Sequence, residues 1–257
     1  MQEHQPPSIS TQSAAQSEQP GKPAKAEKNL YEPYVTPRAA WVSLRALAKF
    51  VFFLILNVHL KGRHNVPKTG PYIIASNHLS WTDIPLVPAY LDPQVVYLAK
   101  EELYESKLGW LVRFLGAIPV KRGEADRQLL RASDDLLKRG KILVIFPEGH
   151  RTEKHSMIEA HAGLGMIALR AGVPIVPVAV AGSEHALKKF RPRITITYGE
   201  PMILQPKGKK VTKDDINEGT QQVMRRIASM LPESYRGVYG EEKVAPPTME
   251  VPPTPIL

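Results

Sequence analysis

From residue 72 onward the chain alternates short β-rich runs, most of them continuously apolar, with amphipathic stretches, and that alternation leaves few folds open. The runs occupy residues 72–75, 95–98, 118–120, 142–146, 175–180 and 194–198. A strand with one wet face alternates apolar and polar residues, whereas a strand covered on both faces is apolar throughout. Helical stretches separate the runs. Between Gly123 and Gly140, Glu124 and Asp126 open a helix, Leu129, Leu136 and Leu137 supply its apolar side, and Lys138-Arg139-Gly140 close it. A second helix is expected over residues 158–170, before Gly172 and Pro174. A third, over 214–231, opens on the capping-box pattern Thr212-x-x-Asp215. The expected fold class is therefore α/β, a largely parallel central sheet flanked by helices.

Both ends differ in composition. Residues 1–37 are rich in Gln, Ser, Pro, Lys and Glu and contain no apolar run of signal-peptide type, so they read as a disordered tail. Residues 241–257, with Pro246, Pro247, Pro252, Pro253 and Pro255, read as another. The folded domain is expected over 67–240. Ahead of it lies the most apolar stretch, 39–60, whose part free of Lys, Arg, Asp and Glu (50–60) is shorter than the roughly 20 residues a spanning helix needs. Arg45 and Lys49 share one helix face there, and Trp41, Leu44, Ala48, Phe52 and Ile55 fall on the adjoining one. No acidic residue occurs between Glu32 and Asp83, while Arg38, Arg45, Lys49, Lys61, Arg63 and Lys68 are basic. Segment 38–66 is expected to be a helix in the plane of an anionic membrane, with Trp41 at head-group level and the Phe residues deeper. The alternative is a helix packed on the domain's own core.

The net charge of +9 points to anionic partners: nucleic acid, acidic lipid or phosphorylated substrates. No helix-turn-helix, aromatic RNA platform or zinc pattern is present, and the basic residues gather around the apolar helix, which suits lipid and argues against nucleic acid. The absence of cysteine excludes disulfides, thiolate metal sites and an acyl-cysteine intermediate.

In open α/β sheets ligands collect beyond the C-terminal ends of strands. The run at 72–75 leads into Ser76-Asn77-His78-Leu79-Ser80-Trp81-Thr82-Asp83, and that at 142–146 into Pro147-Glu148-Gly149-His150-Arg151. On one continuous helix His78 and Asp83 would diverge by about 140°. They meet only if His78 lies on a loop curling over a helix start; Asp83 then orients one imidazole nitrogen and leaves the other to take a proton from a hydroxyl. The plain alternative is that Ser80 and Asp83 form a capping pair and His78 is incidental. Glu148 and Arg151 suit a hydroxyl and a phosphate, or else form a surface ion pair. Lys100 and Arg122 follow two further strands and add cations at the same sheet end.

Asn77-His78-x-Ser80-x-x-Asp83 resembles the His-x4-Asp block of the glycerolipid acyltransferase family, whose best-known members acylate lysophosphatidate at the sn-2 hydroxyl. Gly116-x-Ile118-x-Val120-x-Arg122, Phe146-Pro147-Glu148-Gly149-x-Arg151 and Val173-Pro174-Ile175-Val176-Pro177-Val178 resemble its second, third and fourth blocks, in family order. The resemblance implies an acyltransferase domain with His78 as general base and Asp83 as its orienting partner. It implies that Arg122, Glu148 and Arg151 hold the glycerol phosphate; Lys100 is a further substrate-binding candidate from its place after a strand. Gly149 would let the turn approach the ligand, and Pro177 would shape the floor of the site. The donor would be a thioester of coenzyme A or acyl carrier protein, with no metal or cofactor. The product would be phosphatidate, formed at the cytoplasmic face of a membrane by a peripheral or monotopic protein. Another lysolipid or glycerol-3-phosphate as acceptor, or a non-catalytic lipid-binding relative, are the alternatives. The chain departs from the family pattern at His150, expected to face solvent, at 106–109, which lack the usual proline, and at His161-Ala162, where a lysine is common. Gly163-x-Gly165-x-x-Ala168 reads as small residues that let a helix approach the sheet closely, and His59, His64, His155 and His185 have no ligand spacing.

Overall fold

A computed structural model describes residues 37–100, 109, 117–120, 125–151 and 154–240, of which 98–100, 118–120 and 125–129 are described by backbone alone. Both expected tails therefore lie outside the described residues, apart from Pro37, as do Glu124, the segment 101–108 and Arg122. All six apolar runs are strands, and a seventh strand precedes them. In chain order the elements are α1 (Arg38–Ile55), β1 (Asn57–Lys61), β2 (Tyr72–Ser76), α2 (Asp83–Ala89), β3 (Val95–Lys100), β4 (Ala117–Val120), α3 (Ala125–Lys138), β5 (Ile142–Ile145), α4 (Gly163–Ala171), β6 (Ile175–Ala181), β7 (Arg193–Tyr198) and α5 (Lys213–Ser229).

The strands form one sheet in the order β1-β7-β6-β2-β5-β3-β4. Every neighbouring pair is parallel except β6 with β7, so β2 to β6 run one way and β7 with β1 the other. The largely parallel sheet is as expected. Its inner strands β2, β5 and β6 are covered on both faces and lack polar alternation, whereas β1 and β7 at one edge alternate apolar with polar residues. Ile74, Val176 and Val178 pack with Trp41, Phe52 and Leu86 of α1 and α2. Ile73, Ile175 and Ala179 pack with Leu136, Ile167 and Val223 of α3, α4 and α5.

Two expectations for the front of the chain need correction. The helical segment does not reach residue 66. Leu56 is extended (φ −128°, ψ 155°), its N–H closes the helix on the Phe52 carbonyl at 2.7 Å, and residues 57–61 pair with β7 from Asn57↔Arg193 to Lys61↔Thr197. The sheet thus begins ten residues before the expected boundary at 67, because one apolar run conceals a change from helical to strand periodicity. Nor does the Trp41 face lie free for lipid: Trp41 is 3% exposed and, with Phe52, belongs to the core. Arg45, on the flank of that face, donates to the Asp92 carboxylate at 3.0 Å. The helix is apolar nearly all round, and the face left uncovered carries Leu47, Phe50, Phe53 and Leu54. No described helix is long and apolar enough to cross a membrane.

α4 begins at Gly163 rather than 158, because the preceding segment is held in place by other parts of the chain, as described below. Its Gly165 lies tight against α5, not the sheet: a Cβ there would collide with the Ile216 carbonyl and the Thr220 hydroxyl. The capping box of α5 forms as expected, with Asp215 N–H donating to Thr212 Oγ1 at 3.1 Å and Thr212 N–H to Asp215 Oδ2 at 2.8 Å.

Candidate active site

β2 and β5 are neighbours, with Tyr72 opposite Ile142 and Ala75 opposite Ile145, so the two polar clusters leave the sheet side by side. The exit from β2 is pinned first. Buried Asn77 donates from Nδ2 to the Val180 carbonyl at 2.9 Å and accepts the Val180 N–H on Oδ1 at 2.8 Å, tying the loop to β6. The next residues curl over the start of α2, the one arrangement that lets His78 meet Asp83. Oδ2 of the fully buried Asp83 accepts from the Leu79 and Ser80 N–H groups, each at 2.7 Å, and lies 3.0 Å from His78 Nδ1. Ser80 does not cap; its hydroxyl accepts from Thr82.

A carboxylate only accepts, so this contact assigns the proton to Nδ1 and the lone pair to Nε2. Among the described residues Nε2 has no hydrogen bond. The imidazole is further held by stacking on Phe146, with centroids 4.2 Å apart and planes 24° apart. His78 thus has its inner nitrogen fixed by a buried acid and its outer nitrogen available to a proton donor.

Glu148 does something other than expected. It is 2% exposed, and its two oxygens accept the His78 N–H at 3.0 Å and the Ile158 N–H at 2.9 Å. The carboxyl braces the His78 backbone against segment 155–162 and is not presented to a phosphate. Burial pushes its pKa up to about 7, outweighing the two amide bonds that pull it down, and the nearby Asp83 charge adds to the rise. That segment is held elsewhere too. Met157 N–H donates to the Tyr235 carbonyl at 2.9 Å, Ala160 N–H to the Tyr239 hydroxyl at 3.1 Å, and His161 N–H to the Pro147 carbonyl at 2.9 Å.

Gly149 has φ +68°, where a side chain is strained, and a Cβ there would stand 2.9 Å from the His161 ring. What the turn approaches closely is therefore that imidazole. His150 is exposed, as expected. Arg151 does not pair with Glu148. Its guanidinium lies 3.9 Å from the Trp81 ring centroid, and partial burial pulls its pKa down while the Asp83 charge opposes that. Trp81, 52% exposed, was given no role by the motif; the signal was there, since an aromatic side chain inside a polar loop has no core to fill.

Lys100 ends β3 opposite Val120, at the same sheet end, with its side chain outside the description. Arg122 lies outside the described residues. Pro177 sits buried within β6 opposite Ala75, its ring against Gly199 beside Met230. Among the described residues no three His, Asp or Glu side chains gather as metal ligands would.

A family model described as Acyltransferase matches residues 57–181, which include both polar clusters. The lyso-ornithine lipid O-acyltransferase of Pseudomonas aeruginosa is 36% identical over 56% of this chain and 61% of its own length. The 1-acyl-sn-glycerol-3-phosphate acyltransferase of Bacillus subtilis is 28% identical over 71% of this chain and 92% of its own. The crystal structure of PlsC, the 1-acyl-sn-glycerophosphate acyltransferase of Thermotoga maritima, superposes with a TM-score of 0.59 at 27% identity, covering 75% of this chain and 81% of that one.

Proposed function

Because this chain belongs to the glycerolipid acyltransferase family, we propose that it transfers a fatty acyl group from a thioester of coenzyme A or acyl carrier protein to the sn-2 hydroxyl of lysophosphatidate. The observation that carries the reading is the His78–Asp83 pair: an imidazole with Nδ1 on a buried carboxylate and, among the described residues, no hydrogen bond at Nε2. Nε2 takes the hydroxyl proton as the oxygen attacks the thioester carbonyl. The tetrahedral adduct then expels the thiolate, which takes the proton from Nε2, so a C–O bond replaces the C–S bond and the base is restored. Such base catalysis contributes about 10²–10⁴ in rate. Arg151, braced on Trp81, is a cation for the acceptor's anionic head at the same loop, and Lys100 and Arg122 are the other two candidates. Glu148 and Asn77 act on the backbone of the His78 loop as positioning residues.

The uncovered apolar face of α1 and the run without acids from Glu32 to Asp83 support action at an anionic membrane surface, on the cytoplasmic side where acyl thioesters occur. A second acceptor class is favoured by one observation, the likeness to the lyso-ornithine lipid enzyme. The test is a purified-enzyme assay with lysophosphatidate, glycerol-3-phosphate and lyso-ornithine lipid, each with both donors, read by mass spectrometry. Lysophosphatidate is expected to be the best acceptor, and His78→Ala to abolish transfer with an unchanged circular dichroism spectrum. Near-normal turnover by His78→Ala would dispose of the mechanism.

A further inference from the structure

The end of the sheet that carries His78 presents strongly exposed apolar side chains from two segments among the described residues. One is the last turn of α1, where Phe53 is 65% exposed. The other is the connection between β6 and β7, where Leu187 is 80% and Phe190 86% exposed. Strand directions bring the two together. β6 is parallel to β2 and leaves the sheet at the His78 end; antiparallel β7 starts there, and so does β1 directly after α1. The contact is direct: Arg191 N–H donates to the Ile55 carbonyl at 3.0 Å, and its guanidinium lies 5.6 Å from the Phe53 ring centroid.

The exposed charges around these tips have one sign, the one acid of the connection, Glu184, being buried and accepting from the Tyr235 hydroxyl. Lys188, Lys189, Arg191 and Arg193 fall within six residues, and none forms an ion pair among the described residues. Two apolar side chains standing clear of the surface, with lysines between them and arginines behind, match the layering of an anionic bilayer. The apolar tips enter below the head groups while the cations stay among the phosphates. A protein partner of matching chemistry would need an acidic, concave apolar face, whereas a bilayer supplies both features everywhere on its surface.

We propose that residues 187–191 form a second membrane-insertion element, which together with the end of α1 seats the His78 end of the sheet on an anionic bilayer. The inference rests on the reading that the acceptor is a membrane lipid, and it deepens that reading by assigning which surface meets the membrane. It places the imidazole at the side from which a lysolipid arrives.

The test uses the full chain and sedimentation with vesicles of phosphatidylcholine containing about one-third phosphatidylglycerol. The double variant Leu187→Ser/Phe190→Ser is expected to partition about 10- to 100-fold more weakly, corresponding to partial burial of the two side chains. Its transfer to vesicle-borne lysophosphatidate should fall in parallel, while turnover on detergent-dispersed acceptor stays at the wild-type level. Because the chain has no cysteine, Phe190→Cys takes a single environment-sensitive fluorophore cleanly. Its emission should shift to the blue on vesicle addition, and a label at Ile203→Cys, beyond the opposite end of β7, should not. Unchanged partition of the double variant, or equal shifts at 190 and 203, overturns the proposal. Insertion at 190 in a chain that transfers no acyl group upholds it and counts against the acyltransferase reading alone.

Discussion

Glu148→Gln separates the brace from the charge it carries. The carboxyl titrates at about 7 in the fold against an ordinary 4.5, and it is 2% exposed, so solvent screens little of the difference. Between those two values the folded chain holds a proton that the unfolded chain has released. Unfolding therefore releases protons, and the stability carried by this group, whole below 4.5, is lost as pH rises through 7. At about 1.4 kcal/mol per pH unit the loss amounts to about 3 kcal/mol. Gln has no charge to bury, but its NH₂ replaces one acceptor and faces either the His78 or the Ile158 N–H. That costs about 1–3 kcal/mol at every pH. Urea unfolding of both proteins from pH 4.5 to 8.5 should show the variant less stable in acid, with the gap closing by about 3 kcal/mol and the curves meeting or crossing at the alkaline end. Subtracting the variant removes the titrations both chains share. Parallel curves would refute the reasoning, for they would mean that the buried acid stays ionised across the range.

Asn77→Ala strips partners from both the N–H and the carbonyl of buried Val180, and should cost about 2–5 kcal/mol in urea unfolding. Trp41→Ala should destabilise by about 3–5 kcal/mol, whereas Phe53→Ala on the uncovered face should stay within about 0.5 kcal/mol. Equal effects would mean that the docked face of α1 is misassigned. Arg151→Ala should raise the acceptor KM more than the donor KM. Trp81→Ala should do the same in smaller measure, and the double variant should fall short of the two effects combined because one stack is lost in both. Additive effects in steady-state kinetics would separate the two residues.

The sheet was legible because its inner strands are apolar throughout and its helices carry ordinary start and stop residues. β1 was not, since Leu56 and Val58 continue the apolar run of α1 and only the pairing with β7 reveals the change of conformation. Spacing alone left the His78–Asp83 contact open, since a helix excludes it and a loop over a helix start only allows it; the resemblance of the surrounding block favoured it. The work of Glu148 could not, because its partners are backbone N–H groups of residues 78 and 158, and any residue type supplies those. Pro177 stands in a motif but packs against Gly199, a neighbour that sequence order does not disclose. The start of α4 was misplaced for a similar reason: segment 155–162 is kept out of a helix by Glu148, Tyr235 and Tyr239, all distant in sequence.

A single residue, Leu56, separates α1 from the sheet, and both sides of this joint are fastened to the same neighbouring strand entry, Ile55 through Arg191 and Asn57 through Pro192. Such a connection cannot behave as a swivel. Any torque on the helix is delivered straight into the β1 edge, and tilting one without the other would require rupturing that ladder. On the proposed reading, in which the uncovered face of the helix meets a bilayer, the helix would act as an outrigger and not a tether, and its depth would set how far a substrate must climb to reach the imidazole.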